Sequence, residues 1–202
     1  MRVLIGCEES QTICKAFRDR GHEAYSCDIQ PTRGNPEWHY QCDIFHAVRL
    51  DFWELIILHP DCTALAVSGN GTYAEGKPDH QDRLDSIEWT MKLWRAAVFR
   101  CRHVALENPS SVIFPHLRRA GAEIQYIQPW MFGHKEKKRT GFALHGLPFL
   151  KETDNVKEQT EALPIKEQQK IWYASPGPNR KRDRSVTYQG VADAIADQWG
   201  IL

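Results

Sequence analysis

Short apolar runs alternating with amphipathic stretches set the period of this chain. Arg2 to Gly6 is an apolar run closed by glycine, and Gln11 to Arg20 carries helical periodicity up to Gly21, where a helix would stop. His22 to Cys27 reads as a second strand ending in Asp28, and Tyr40 to Ile44 as a short third strand that carries Asp43. Leu55 to Leu58 is an isoleucine-rich run ended by His59-Pro60, and His103 to Leu106 is another that runs into Glu107-Asn108-Pro109. Glu123 to Gln128 and Thr140 to Leu144 read as two more strands.

Between Asp82 and Cys101, Leu84, Ile87, Met91, Trp94 and Val98 share one stripe, which predicts a long amphipathic helix. Val191, Ala194, Ile195, Gln198 and Trp199 form a second stripe, on a helix that docks on the sheet. Strands alternating with helices predict βαβ units with right-handed crossovers. The expected fold is therefore Rossmann-like, a mainly parallel sheet in three α/β/α layers. Such sheets keep their ligands at the carboxyl ends of the strands.

The 202 residues suit one domain with a proper core, spanning 1–202. Leu150 to Lys170 is polar and weakly periodic, and Ser175 to Arg184 predicts an extended loop, so 150–189 reads as an irregular connection. His59 to about His80, with Gly69, Gly71 and Gly76, predicts a long, loose loop that fits a lid over a site as well as it fits mere disorder.

Charge changes this picture in one respect. Basic and acidic residues balance at a formal net charge of zero, so any attraction for nucleic acid must be local, and 135–139 and 180–184 are the most basic runs. The six cysteines form no CxxC pair and no Cys/His set has structural zinc spacing, so no metal is expected. Without a secretory apolar region, reduced thiols in a cytoplasm are the expectation.

Strand, tight loop Gly6-Cys7-Glu8-Glu9-Ser10, helix, strand, then Asp28 twenty-two positions after Gly6 is the order of a nucleotide-binding half. Two carboxylates in that loop oppose a pyrophosphate and suit a ligand with a ribose and a positive charge; S-adenosylmethionine has both. Asp28 would take the ribose hydroxyls. Asp43 fits an adenine contact or an ordinary helix N-cap equally. Cys62 fits a nucleophile or one more buried thiol.

Taken together, the Gly6–Ser10 loop, Asp28, Asp43, Pro60-Asp61-Cys62, Glu107-Asn108-Pro109, Lys138-Arg139 and the Gly190-Val191 helix resemble the cytosine-5 DNA methyltransferase family. The closer likeness is to its short phage and prophage branch, and it extends over nearly the whole chain. The resemblance implies methyl transfer from S-adenosylmethionine to carbon 5 of cytosine in DNA, duplex with a flipped base or single-stranded. By it, Cys62, Glu107 and Arg139 are catalytic, while Asn108, Lys138, Arg180 and Arg182 meet the substrate. Ile5, Gly6, Cys7, Glu8, Ser10, Asp28, Ile29, Asp43 and Pro60 surround the cofactor.

The chain departs from the family in four places. The cofactor loop has Cys7 and Glu9 where glycines are common, and the Gln-x-Arg-x-Arg pattern is reduced to Glu136-Lys137-Lys138-Arg139, which leaves open which basic residue takes which role. Asp61 stands where a second proline is usual, and a carboxylate beside a thiol opposes its ionisation. Leu150 to Gln189 is too short for a target-recognition domain, which implies low specificity, or a partner protein or second copy that supplies it. The last two departures favour an alternative of another class, a catalytically weak relative serving as a binding or decoy module. A third reading keeps the chemistry and changes the substrate to a nucleotide or a single strand.

Overall fold

In the computed structural model, which describes residues 1–173 and 185–201, seven strands make one sheet in the order β3-β2-β1-β4-β5-β7-β6. They are β1 (Arg2–Gly6), β2 (Glu23–Asp28), β3 (His39–Gln41), β4 (Leu55–Leu58), β5 (Val104–Pro109), β6 (Glu123–Ile127) and β7 (Thr140–His145). Six run parallel; β7 enters between β5 and β6 antiparallel to both.

Strand alternation divides the core into two faces. Val3, Ile5, Leu55, Ile57 and Ala105 face helix α1 (Thr12–Arg18) and the last helix, Gln189–Trp199. Leu4, Ile56, Leu58, Val104 and Leu106 face α2 (Ile44–Leu50), α4 (His80–Arg100) and α5 (Phe114–Arg119). Every one of these ten strand side chains is fully buried. Burial of each large one stabilises the fold by roughly 1.5–3 kcal/mol. A Cβ on Gly6 would run into Ile44 and Leu58, so glycine lets α2 close over the first strand.

Two expected elements differ. The apolar stripe of α4 includes Met91, Trp94 and Ala97, but Leu84 faces outward and Arg83 takes the buried position instead. The 150–170 stretch is not structureless: Lys157–Glu161, Ile165–Gln168 and Lys170–Tyr173 are three short helices. Few apolar residues and one or two turns apiece explain why periodicity missed them. The extended loop expected over 175–184, with Arg180 and Arg182, lies outside the described residues.

Candidate active site

Register builds the site. The last paired levels of the parallel strands are Cys27, Gly6, Leu58 and Leu106, so the next residues, Asp28, Cys7, His59 and Glu107, stand side by side along the carboxyl edge. His59 and Glu107 also share the parity of the partners Ile57 and Ala105, which turns both toward the same face of the sheet.

From β4 the chain passes through Pro60 into a tight turn. Asp61 Oδ1 accepts from the Thr63 amide at 2.9 Å and from Thr63 Oγ1 at 2.6 Å, forming the turn that presents Cys62. Asn108, wholly buried on β5, donates from Nδ2 to the Pro60 carbonyl at 3.2 Å and ties the turn to the neighbouring strand. Its role in this structure is to fix the backbone beside Cys62.

The loop after Cys62 is not loose. Buried Arg83 donates to the Ala64 carbonyl at 2.7 Å, the Ala66 carbonyl at 3.3 Å and Asn70 Oδ1 at 2.8 Å. Ser111 donates to the Leu65 carbonyl at 3.0 Å, and Ala66 bridges to Ser111. The lid expected from three glycines is, in its first half, a clamped segment that ends in the helix α3 (Asn70–Tyr73).

Burial pushes the Cys62 thiol up; Glu107 and Asp61 push it further, and Lys138 pulls it down. The site thus assembles two carboxylates and one ammonium within electrostatic reach of a half-buried sulfur. Glu107, with 20 % of its side chain exposed, accepts at Oε2 from His59 Nδ1, 3.3 Å away.

Lys138 and Arg139 enter β7 from the 132–139 loop. The Lys138 amide donates to Gln128 Oε1 at 2.9 Å, and its ammonium lies 5.7 Å from the Tyr188 ring. Arg139 is exposed and stacks its guanidinium 3.9 Å from the Tyr126 ring. Lys138, rather than Arg139, is the cation that acts on Cys62 in this structure.

The loop at the end of β1 has left-handed backbone at both ends, Cys7 (φ 60°) and Gln11 (φ 59°), which for residues other than glycine is a strained choice typical of functional loops. Burial pushes the Cys7 thiol up to about 12, and Asp28, Asp43 and Asp61 push in the same direction, so three carboxylates converge electrostatically on this loop. Asp28 Oδ1 accepts from the Gln30 amide at 2.8 Å, and Ile29 is 70 % exposed beside it.

Other expected cofactor residues are engaged within the fold. Asp43 caps α2 by accepting from the Phe45 amide at 2.7 Å. Glu8 turns inward and accepts from the Ile13 and Cys14 amides at 2.8 and 3.3 Å. Burial pushes its carboxyl up, against the pull of His59, those two amides and Ser10. Ser10 accepts from Thr12 at the start of α1, and Ile5 and Gly6 are buried in β1. The Gly190 amide donates to His134 Nε2 at 2.9 Å, fastening the last helix to the 132–139 loop.

Sequence reasoning missed His59, Arg83 and Gln11. Gln11 carries the Asn35 amide on its Oε1 at 2.7 Å and pins the 30–36 turn over β2. His59 had a readable signal, since it leaves β4 at the level where Glu107 leaves β5. Arg83 had none, because a buried arginine interrupts an apolar stripe without changing its period. Among the described residues no His/Cys/Asp/Glu group could hold a metal ion, and no helix is long and apolar enough to cross a membrane.

No family model matches the chain, and no curated protein does. Solved structures do. The Entamoeba histolytica methyltransferase EhMeth is similar at a TM-score of 0.50 and 13% identity, over 77% of this chain and 57% of that one. A protein encoded within an E. coli prophage and described as a DNA modification methyltransferase gives 0.48 and 12% over 81% and 55%, and S. pombe Dnmt2 gives 0.47 and 14% over 81% and 56%. The chain spans little more than half the length of each. Strand order, the antiparallel β7 and the EhMeth match together establish a Rossmann-like α/β fold, shared with that methyltransferase.

Proposed function

We propose that this chain transfers a methyl group from S-adenosylmethionine to carbon 5 of cytosine in DNA, through a covalent bond between Cys62 and carbon 6. The observation that carries the reading is the register at the carboxyl edge of the sheet: Glu107 leaves β5 beside the turn that presents half-buried Cys62, and Asn108 ties that turn to β5 through the Pro60 carbonyl at 3.2 Å. The fold shared with known methyltransferases supports it.

The chemistry follows from those groups. Carbon 5 of cytosine is a weak nucleophile, and addition of a thiolate to carbon 6 makes it an enamine carbon that can attack a methyl group. Addition pushes charge onto ring nitrogen 3. Glu107, one strand away, supplies a proton there, a step that contributes about 10²–10⁴-fold in general acid catalysis. Lys138 favours the thiolate against the burial that opposes it. Arg139, exposed beside it, suits the base oxygen or a phosphate.

S-adenosylmethionine, when bound, supplies the electrophilic methyl group. The cradle suits its charge, because Asp28, Asp43 and Asp61 gather around the Cys7 loop and would favour a sulfonium. Asp28 takes the ribose hydroxyls and Ile29, 70 % exposed, covers an adenine face. The substrate base must leave its stack to reach a half-buried sulfur. With only 146–188 between β7 and the last helix, a partner protein or second copy supplies target specificity, and Arg180 and Arg182, outside the described residues, grip phosphates.

Incubation with methyl-labelled S-adenosylmethionine and unmethylated DNA, duplex and denatured, tests the reading by nucleoside analysis. Label in 5-methylcytosine is the expected result. Cofactor binding with no label in either DNA would refute it and favour a binding module, a second reading to which the upward-pushed Cys62 thiol lends weight.

A further inference from the structure

Glu107 is not left to find its own orientation. Its Oε2 meets His59 Nδ1 at 3.3 Å, with the two side chains 20 % and 12 % exposed. Against a carboxylate the ring must carry its proton on Nδ1, so His59 donates and Glu107 accepts. The other ring nitrogen, Nε2, is buried and has no hydrogen-bond partner among the described residues. Glu8, buried beneath, lies within electrostatic reach of the same ring.

On the reading proposed above, we infer that His59 is a positioning residue which locks Glu107 through Oε2, so that Oε1 alone serves both Cys62 and the base. The proton accounting then closes within the site. Oε1 takes the proton from the Cys62 Sγ–H as Sγ bonds to carbon 6. The carbon 5–carbon 6 π pair becomes the carbon 4–carbon 5 bond and the carbon 4–nitrogen 3 π pair passes to nitrogen 3, which takes the same proton from Oε1. Carboxylate and imidazole are unchanged, and no solvent proton is consumed. A thiol stored protonated by burial is no obstacle on this route, since its proton is the one the ring nitrogen needs.

The position argues for this role over plain packing. An apolar side chain of similar volume would fill the space between Leu58 and Pro60 without leaving a buried nitrogen unpaired. A buried polar group that is only half satisfied is destabilising. Among the described residues, the one bond His59 makes with its ring goes to Glu107.

Three variants test it. His59→Leu removes the donor, and His59→Asn keeps an amide nitrogen at the Nδ1 position. His59→Gln moves the nitrogen toward the Nε2 position. Expected for His59→Leu and His59→Gln is a fall in kcat on unmethylated DNA of about 10²-fold, with KM for DNA and Kd for S-adenosylmethionine within twofold of the unsubstituted protein. His59→Asn should stay within tenfold of the original kcat. Covalent trapping on DNA containing 5-fluorocytosine should follow the same order.

Equal loss in all three variants, or a rise in KM with kcat unchanged, would overturn the positioning role while leaving methyl transfer intact. Should His59→Leu fail to fold, the contrast between Asn and Gln decides alone. An unsubstituted protein that makes neither 5-methylcytosine nor a trapped adduct would overturn the underlying reading, and this one with it.

Discussion

Lys138 and Arg139 are neighbours in the chain and serve different partners: the Lys138 ammonium acts on Cys62, while the Arg139 guanidinium stacks 3.9 Å from the Tyr126 ring. Lys138→Gln should therefore raise the Cys62 thiol further and slow its alkylation by iodoacetamide, followed peptide by peptide. Arg139→Gln should leave that rate unchanged, and losing its ring contact should destabilise the fold by about 0.5–1 kcal/mol. Equal alkylation rates in the two variants would remove Lys138 from the site.

Asp61 has two opposed effects on the same sulfur. Its charge pushes the Cys62 thiol up, and its Oδ1 builds the turn through both donors of Thr63. Asp61→Asn keeps an acceptor and removes the charge, so Cys62 alkylation should accelerate and its pH midpoint should fall. Asp61→Ala loses the turn as well. Its folded stability should drop by about 1 kcal/mol, the usual worth of such a bond. An Asn variant no faster than the parent would show that burial and Glu107 set the thiol without Asp61.

Arg83 holds the segment behind Cys62 by two backbone carbonyls and Asn70. Arg83→Met keeps most of the packing volume on α4 and strips away all three bonds. With buried carbonyls left unsatisfied, a loss of about 2–4 kcal/mol is expected, from about 1–3 kcal/mol for each unpaired group. Limited proteolysis should then cut first between residues 63 and 80. Unchanged stability and cleavage would mean that the Ser111 contacts suffice without it.

The fold was legible from the sequence to the extent that alternation is legible. Val3/Leu4/Ile5 and Leu55/Ile56/Ile57/Leu58 are apolar on both faces, as strands covered by helices on each side must be, and the structure buries them so. Less legible were groups whose meaning comes from a distant partner. Glu8 reads as a loop carboxylate, yet it points inward because the Ile13 and Cys14 amides need an acceptor. Cys7 occupies a backbone region where glycine is usual, which no residue pattern announces. The His59–Glu107 contact requires knowing that β4 pairs with β5 and at which register, and forty-eight residues separate the two.

Alkaline sensitivity follows from the buried thiols. Burial pushes Cys7 and Cys14 from the ordinary 9.0 up to about 12, and pushes Cys27, Cys62 and Cys101 in the same direction. A raised folded value means that the native state holds these protons more tightly than the unfolded chain does. Their contribution is complete below the unfolded value, near 9, and is lost as pH rises toward about 12. The urea midpoint should therefore be level from neutrality to about pH 8 and fall steadily above the thiol range of about 8.5. Cys14 is wholly buried against the Ala24 carbonyl at 3.4 Å, so Cys14→Ala should lower the midpoint at every pH and make the alkaline slope shallower. A variant with an unchanged slope would show that Cys14 does not titrate on unfolding in this range.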